Sequence, residues 1–458
     1  MRHDTDTIFA QATPPGRAAI AVIRISGDRA FSAPSAFGCD VPEPGRFRVA
    51  RLIDDGGDQL DEALILAMKG PRSSTGEDVV EIHAHGSLAV TATIMRQLGR
   101  MDGFRPAGPG EFTHRMFANG KIDLLGAEAL ADLIDAETDR QRLQAWRQRD
   151  GVLHRPVDSW RDALVRLAAQ LEAVIDFADE DLPATIETRI REDTCALADA
   201  IEHVLDDDHE GERVRSGVTI SLVGPVNAGK STLLNRLAGR DVAIVSSQAG
   251  TTRDIVSVRI DLDGVPVTIL DTAGLRETDD VIEAEGVRRA RNAARDTDAA
   301  LLVVDASSAD WRADLATLRD LAGPSQALLL TKRDRLDHAA ITGIAEEIAT
   351  YGEAARFVSL EDDANRDEFE QLLGLLRGLV MPANRPETQS IITRERHRHA
   401  LQRAVTSLRA VDGLDLATAP ELAAEEYRQA ADSLGRLTGQ VDVEELLDSI
   451  FSSFCIGK

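Results

Sequence analysis

Cysteine is nearly missing. Cys39, Cys195 and Cys455 are the three in 458 residues, far apart and without metal-ligand spacing, so neither a disulfide framework nor a thiolate metal site is expected. Aromatic residues make up 4% of the chain, which leaves Ala, Leu, Val and Ile to build the cores. No apolar run approaches the ~18–20 residues of a bilayer span. The start MRHDTDTIFAQ also lacks the basic-then-apolar order of a secretory leader. A cytoplasmic protein without a membrane span is the expectation. Positive charge is outweighed, 52 Lys and Arg against 78 Asp and Glu for a net charge of −26. Bulk electrostatics therefore argue against non-specific nucleic-acid binding, and any RNA contact needs a local basic patch or a basic partner.

What is present is a soluble globular composition, 43% hydrophobic and 28% charged, long enough for two to four domains. Within residues 1–120, segments 7–11, 19–27, 61–68 and 78–83 read as strands and 87–98 as a helix, an α+β domain. Residues 104–113 hold too many Pro and Gly for regular structure. From 121 to 215 the apolar positions recur every three or four residues, through Leu124, Leu125, Ala129 and Leu133, then Trp160, Leu164, Leu167 and Leu171, as helices require. That stretch ends in Asp206-Asp-Asp-His-Glu210, which reads as a solvated linker. Between 216 and 380, strands at 218–223, 255–262, 265–270, 299–305, 326–331 and 356–359 alternate with helices, the order of a mostly parallel sheet covered on both faces. Residues 381–458 turn helical again. The expected architecture is multidomain: the N-terminal α+β domain, an all-α helical-bundle domain built from 121–215 and 381–458, and an α/β domain inserted at 216–380. The closing residues are too apolar for a free tail and should dock.

The inserted segment carries the chemistry. Gly224-Pro-Val-Asn-Ala-Gly-Lys-Ser231 sits between an apolar strand and a helical pattern and fits G-x-x-x-x-G-K-[ST], a phosphate-binding loop. A ligand-free Gly-rich turn is the bland alternative, and the strand–loop–helix context outweighs it. Gly224 and Gly229 let successive N–H groups face phosphate, with Asn227, Ala228 and Thr232 beside them. Lys230 reaches the β/γ-phosphates, and the Ser231 hydroxyl suits Mg²⁺. Asp271-Thr-Ala-Gly274, with Thr272 and Ala273 inside it, follows a strand and places a carboxylate near the metal. Thr331-Lys-Arg-Asp334 follows another. A carboxylate at Asp334 can accept from both N1–H and N2–H₂ of guanine, whereas adenine leaves it mismatched. Lys332 belongs to the same motif, and Thr331 stands where Asn is more frequent. Gly250-Thr-Thr-Arg-Asp254 lies where the first switch belongs, with Thr252 the second hydroxyl for Mg²⁺. Leu275 follows Gly274 where a glutamine would orient the attacking water, so either hydrolysis is very slow or another group supplies that function.

With these motifs set inside a helical domain, the chain resembles the MnmE (TrmE) family of tRNA-modification GTPases over nearly its whole length. The more specific matches are Ala12-Thr-Pro-Pro-Gly-Arg17, Gly76-Glu-Asp-Val-Val-Glu-Ile82, Glu111-Phe-Thr-His-Arg-Met-Phe-Ala-Asn-Gly-Lys-Ile-Asp-Leu124 and Phe454-Cys-Ile-Gly-Lys458. The resemblance implies a Ras-like G domain and an N-terminal domain that dimerises and binds a 5-formyl-tetrahydrofolate-type carrier through Arg24, Glu81, Lys121 and Lys458. It implies K⁺ where other families use an arginine finger. The matching ligands are the Asn227 side chain and backbone carbonyls of the loop Ser246, Ser247, Gln248, Ala249, Gly250 and Thr251, which also lies against GTP. Glu283, three before Gly286, takes the water-positioning role beside Lys230 and Thr252. The resemblance further implies a homodimer, an FAD-dependent partner of the MnmG (GidA) type in a heterotetramer, and tRNA as substrate. The product would be a 5-carboxymethylaminomethyl or aminomethyl group on wobble uridine 34. Departures are Thr331, Ser246 for Thr, Thr393-Arg-Glu-Arg-His397, and Phe357-Val-Ser-Leu360 where S-A-K supports the base. Cys455 reads as structural rather than as a thiol in the chemistry, and His83, His85 and His114 as structural or surface residues. The rival reading is a regulatory switch GTPase of ribosome assembly or stress response, which would not need the four folate positions.

Overall fold

The computed structural model describes residues 6–176, 184–240, 242–244, 257–271, 297–319, 325–349, 354–360, 366–381, 390–416, 418–441, 447, 450–452, 454 and 457. Two compact units emerge. One joins Met1–Ala131, Gln148–Leu197 and Arg403–Lys458, and the other joins Asp132–Arg147 and Ala198–Gln402.

The first unit holds β1 (Thr7–Gln11), β2 (Ala18–Ser26), β3 (Phe47–Ile53), β4 (Gln59–Met68), β5 (Val79–Gly86) and β6 (Phe104–Pro106) in one sheet, ordered β3-β4-β5-β2-β1-β6. Its pairs are antiparallel except β1 with β6. Alternation decides the faces. Ile23, Ile25, Leu52, Ile65 and Ile82 turn inward and pack with Phe9, Phe37, Ile94 and Leu98, the last two from helix Leu88–Leu98. Val22 and Arg24 turn the other way.

Two readings of this unit need correction. Strand β3 was not foreseen: it is an edge strand whose outer residues Phe47 and Val49 are exposed, so it lacks an apolar-in, polar-out alternation. Residues 104–113 are not irregular throughout. Phe104–Pro106 pairs with Thr7–Phe9 of β1 as an edge strand, where a proline is tolerated, and helix Glu111–Ala118 follows. Gly110 begins it at φ 62°. A Cβ there would stand 2.5 Å from the Phe451 carbonyl oxygen. Pro and Gly set the element ends here instead of forbidding the elements.

The first unit also holds helices His154–Asp176 and Pro420–Thr438, which pack on each other, and the Ala184–Leu197 part of helix Ala184–Leu205. Tyr427, 1% exposed, shares a 2.6 Å hydrogen bond with the Thr194 hydroxyl, so the largest buried polar side chain is satisfied. The end of the chain docks, as its composition requires. Phe451 packs edge-on against His114 and tilted against Phe117, and Gly457, φ 99°, lies where a Cβ would be 2.4 Å from the Gln11 carbonyl oxygen.

The second unit is built on β7 (Val218–Val223), β8 (Ser257–Leu262), β9 (Val265–Asp271), β10 (Ala299–Asp305), β11 (Gln326–Thr331) and β12 (Ala355–Phe357), ordered β12-β11-β10-β7-β9-β8. All pairs are parallel except β8 with β9. One face packs Ile220, Leu222 and Leu301 on Leu233, Leu237, Leu372 and Leu376. The other packs Leu302, Val304 and Leu330 on Trp311, Leu315 and Ile348. A parallel sheet buried on both faces is what the continuous apolar strands predict.

Asp263 (φ 52°) and Gly264 (φ 85°) form the two-residue turn joining β8 to β9, with the positive φ values of a type I′ hairpin. The turn is seated on the segment before helix Asp139–Arg149. The Thr138 hydroxyl donates to the Gly264 carbonyl at 2.7 Å, and Glu137 pairs with Arg259 at 2.9 Å. A Cβ on Gly264 would lie 2.5 Å from the Arg140 Cβ. The acidic run at 206–210 is a linker between helices but is not solvated throughout. The Asp207 carboxylate, 9% exposed, accepts from Arg398 at 2.6 Å, and Glu210 opens helix Glu210–Ser216 and pairs with Arg140. Two of its charges meet arginines distant in sequence, while Asp206 and Asp208 are exposed. Gly264→Ala combines a positive φ with that collision and is expected to cost about 2–4 kcal/mol. Urea unfolding of the full chain checks this, and an unchanged midpoint would refute the seating.

Candidate nucleotide site

The carboxyl ends of β7, β9, β10 and β11 converge, the place where open α/β sheets bind ligands. After β7 the chain must turn tightly over β10: a Cβ on Gly224 would sit 2.2 Å from the Val303 carbonyl oxygen, so only glycine fits. Asn227 at φ 64° and Gly229 at φ 99° then bend the loop, the kind of backbone turn that makes an anion-binding concavity. Helix Lys230–Ala238 starts directly after Gly229 and adds its N-terminal dipole. The Lys230 ammonium, 5% exposed, donates to the carbonyls of Gly224 and Pro225, each at 2.7 Å. It is thereby held across the mouth of its own loop.

At the end of β9, Asp271 is 3% exposed and its carboxylate accepts from the Ser231 hydroxyl at 3.3 Å. Hard oxygen donors in that arrangement fit Mg²⁺, which prefers oxygen and keeps several waters. Thr331 keeps a tie that an asparagine would otherwise supply. Its hydroxyl, fully buried, lies 2.7 Å from the Ala228 carbonyl and 3.1 Å from that of Val304. The base motif is thus fastened to the phosphate loop despite the departure in sequence. Lys332 pairs with Asp305 at 2.7 Å. Burial raises the Asp305 pKa, but the bonds and charge of Lys332 and Ser307 outweigh it and hold the carboxyl below its ordinary value. Asp334 lies in a 3₁₀ turn, Arg333–Arg335, and its Oδ1 accepts from the Ser359 hydroxyl at 2.9 Å. Ser359 is a site residue that the weak Phe357–Leu360 match hid. Its signal was a serine two residues after a short strand at the sheet edge.

Of the expected nucleotide residues, Asn227, Ala228, Gly229, Lys230, Ser231, Thr232, Asp271, Thr331, Lys332 and Asp334 fall within the described part. All lie on the loops and strand ends just described or in the first turn of the helix. Ser246, Ser247, Gln248, Ala249, Gly250, Thr251, Thr252, Thr272, Ala273, Gly274 and Glu283 lie outside the described residues, as do Cys455 and Lys458.

In the first unit, Arg24 and Glu81 are register partners on β2 and β5, joined at 2.8 Å. His83 bonds the other Glu81 oxygen at 3.1 Å, and the Arg24 guanidinium stands 5.9 Å from the Phe112 ring centroid. Burial pushes the Glu81 carboxyl up, but the Arg24 charge and the bonds from His83 and Arg24 hold it below its usual range. It is therefore an anion and an acceptor at neutral pH. Lys121 is placed by its bond to the Pro71 carbonyl at 2.7 Å. His85 bonds Asp61 at 2.7 Å while His114 packs on Phe451, so the three histidines do not gather. Among the described residues no three His, Cys, Asp or Glu side chains could hold a metal. No helix among them is long and apolar enough to cross a membrane.

An acceptor-only carboxylate fixed beside a phosphate cradle complements guanine and not adenine, and the second unit contains the G domain of a P-loop GTPase. Residues 7–121 match the family model described as the GTP-binding protein TrmE N-terminus, and residues 124–455 match the MnmE helical domain. The chain is 46% identical over 471 residues to the tRNA modification GTPase MnmE of Rhodospirillum rubrum, covering 99% of each. It is 48% identical over 456 residues to that of Paramagnetospirillum magneticum, covering 99% of this chain and 100% of the relative. A solved structure of an Aquifex aeolicus Era variant bound to GDP·AlF₄⁻ is 25% identical, covering 42% of this chain and 66% of that one at a TM-score of 0.28. The chain belongs to the MnmE (TrmE) family of tRNA modification GTPases.

Thr331→Val removes the hydroxyl and leaves its buried carbonyl partners without that donor, a loss of about 1–2 kcal/mol. GDP affinity, read by fluorescence titration of a labelled nucleotide, is expected to fall about tenfold, and Thr331→Asn to restore most of it. Equal affinity of the valine variant and the parent would show that this tie does not support the site.

Proposed function

We propose that this GTPase, working with an FAD-dependent partner of the MnmG (GidA) type, forms the 5-carboxymethylaminomethyl or aminomethyl group on wobble uridine 34 of certain tRNAs. GTP hydrolysis would drive opening and closing of paired G domains, and the carbon chemistry would take place elsewhere. The observation that carries this reading is the charged pair Arg24–Glu81, joined at 2.8 Å in the first unit, in a chain whose second unit also holds the phosphate loop and Asp334. A pure switch GTPase has no need of a folate site. A one-carbon folate has matching needs: cations for its glutamate carboxylates, supplied by Arg24 and Lys121, and an ionised acceptor such as Glu81 for ring N–H groups. Lys458 is assigned to the same ligand. Bound there, 5-formyl-tetrahydrofolate would supply the one-carbon unit.

In the G domain, Lys230 holds the loop and meets the β/γ-phosphates, while Asp334 reads guanine. Ser231 and Thr252 would ligate Mg²⁺, which neutralises phosphate charge when bound. Glu283 orients the attacking water in place of the missing glutamine. Asn227, with Ser246, Gln248 and Thr251, would hold K⁺, a cation that can offset developing charge as an arginine does. The proposed division is residues 1–120 for dimerisation and folate, 121–215 with 381–458 for the helical domain, and 216–380 for the G domain. A homodimer joined by two partner chains in a heterotetramer follows, in the cytoplasm. With a net charge of −26, this chain leaves much of the tRNA-binding surface to the partner.

Nucleoside mass spectrometry of tRNA from a strain lacking the protein is the direct test. Loss of the modified nucleoside at position 34 is expected; unchanged uridine 34 would favour the switch GTPase. Hydrolysis should also run at least about tenfold faster in K⁺ than in Na⁺ at equal ionic strength if a cation replaces an arginine finger. Equal rates would remove K⁺ from the mechanism.

A further inference from the structure

Glu368 is a buried charge that none of the nucleotide motifs contains. It lies on helix Arg366–Val380 and is 5% exposed. A carboxylate so far from water needs strong partners. Those partners belong to the guanine-reading side of the G domain. Oε2 accepts the Ser359 N–H at 2.7 Å, and Oε1 pairs with Arg333, the residue before Asp334. The Ser359 carbonyl is gripped from the opposite direction by Arg236, at 2.6 Å, from the helix that follows the phosphate loop. The same guanidinium stands 5.8 Å from the ring centroid of Phe369, the residue after Glu368. Ser359 is therefore clamped at its N–H and at its carbonyl, and its hydroxyl in turn donates to Asp334 Oδ1 at 2.9 Å.

We propose that Glu368 is a positioning residue for guanine specificity, fixing the plane of the Asp334 carboxylate through Ser359 on one side and Arg333 on the other. Two parallel hydrogen bonds from N1–H and N2–H₂ demand that both carboxylate oxygens lie in the plane of the base. One oxygen accepts from guanine and from Ser359 together, because it has two lone pairs. If Ser359 drifts, the carboxylate rotates and the bidentate geometry is lost first. One bond to the base can survive that rotation. Glu368 touches no nucleotide and acts only through its neighbours.

Inosine nucleotides separate this role from a merely structural one, because they lack the 2-amino donor and make only the N1–H bond. Labelled GDP and IDP are titrated into the full-length chain in Mg²⁺ for the parent, Glu368→Ala, Glu368→Gln, Arg333→Ala and Ser359→Ala. For Glu368→Ala, GDP affinity is expected to fall about tenfold or more and IDP affinity about two- to threefold, compressing the guanine-to-inosine ratio. Ser359→Ala should compress it similarly, and Glu368→Ala added to Ser359→Ala should compress it little further, since both act on one carboxylate. Glu368→Gln keeps an acceptor for Ser359 N–H but loses the Arg333 pair, and should fall between. If Glu368→Ala does not fold, Glu368→Gln and Arg333→Ala carry the test, since the Arg333 side chain is 43% exposed. Equal weakening of both nucleotides, or an unchanged ratio in folded variants, would overturn the proposal and leave Glu368 a stability residue.

Discussion

The ammonium of Lys230, held 2.7 Å from the carbonyls of Gly224 and Pro225, is the constraint on which the nucleotide site is assembled. A lysine bent back on its own loop fixes the loop's curvature, and that curvature requires the positive φ values at Asn227 and Gly229. With the loop so shaped, the Ala228 carbonyl comes within 2.7 Å of the Thr331 hydroxyl, which brings the base motif to its place. Ser359 and Arg236 close the circuit back to the phosphate-loop helix. Phosphate recognition and base recognition are thus mechanically one object. Energies assigned to the two halves separately will not add.

The strands of the G domain were legible because burial on both faces makes them continuous apolar runs, and the phosphate loop because its glycines answer to sterics. A carbonyl 2.2 Å from a would-be Cβ at Gly224 leaves a mark in any sequence. What escaped notice has a common cause. Strand β3 is an edge strand with Phe47 and Val49 exposed, and its alternation does not follow the burial rule. The acidic run at 206–210 looked solvated because its partners, Arg398 and Arg140, are far along the chain. Glu368 was unreadable for the same reason, and the partners of Ser359 were hidden by it too. Local pattern shows which residues form an element, but not which distant charge will meet it.

Thr331 shows how a motif can depart in letter while its physical function persists. An asparagine offers two donors and an acceptor; threonine offers one hydroxyl. Here the hydroxyl lies between two buried carbonyls, and one proton can satisfy only one of them at a time. The tie survives with less redundancy, and the buried surroundings keep its single bond valuable.

The seat of the β8–β9 turn gives β9 the character of a push-rod. Its seven residues span about 20 Å at about 3.3 Å each. Asp271 stands at one end beside the Ser231 hydroxyl, and the turn at the other is bonded to Thr138 at 2.7 Å. An axial slip of the strand would stretch or bend that bond, unless the segment holding Thr138 travels with it. A stiff strand with both ends engaged has no slack in which to hide a displacement.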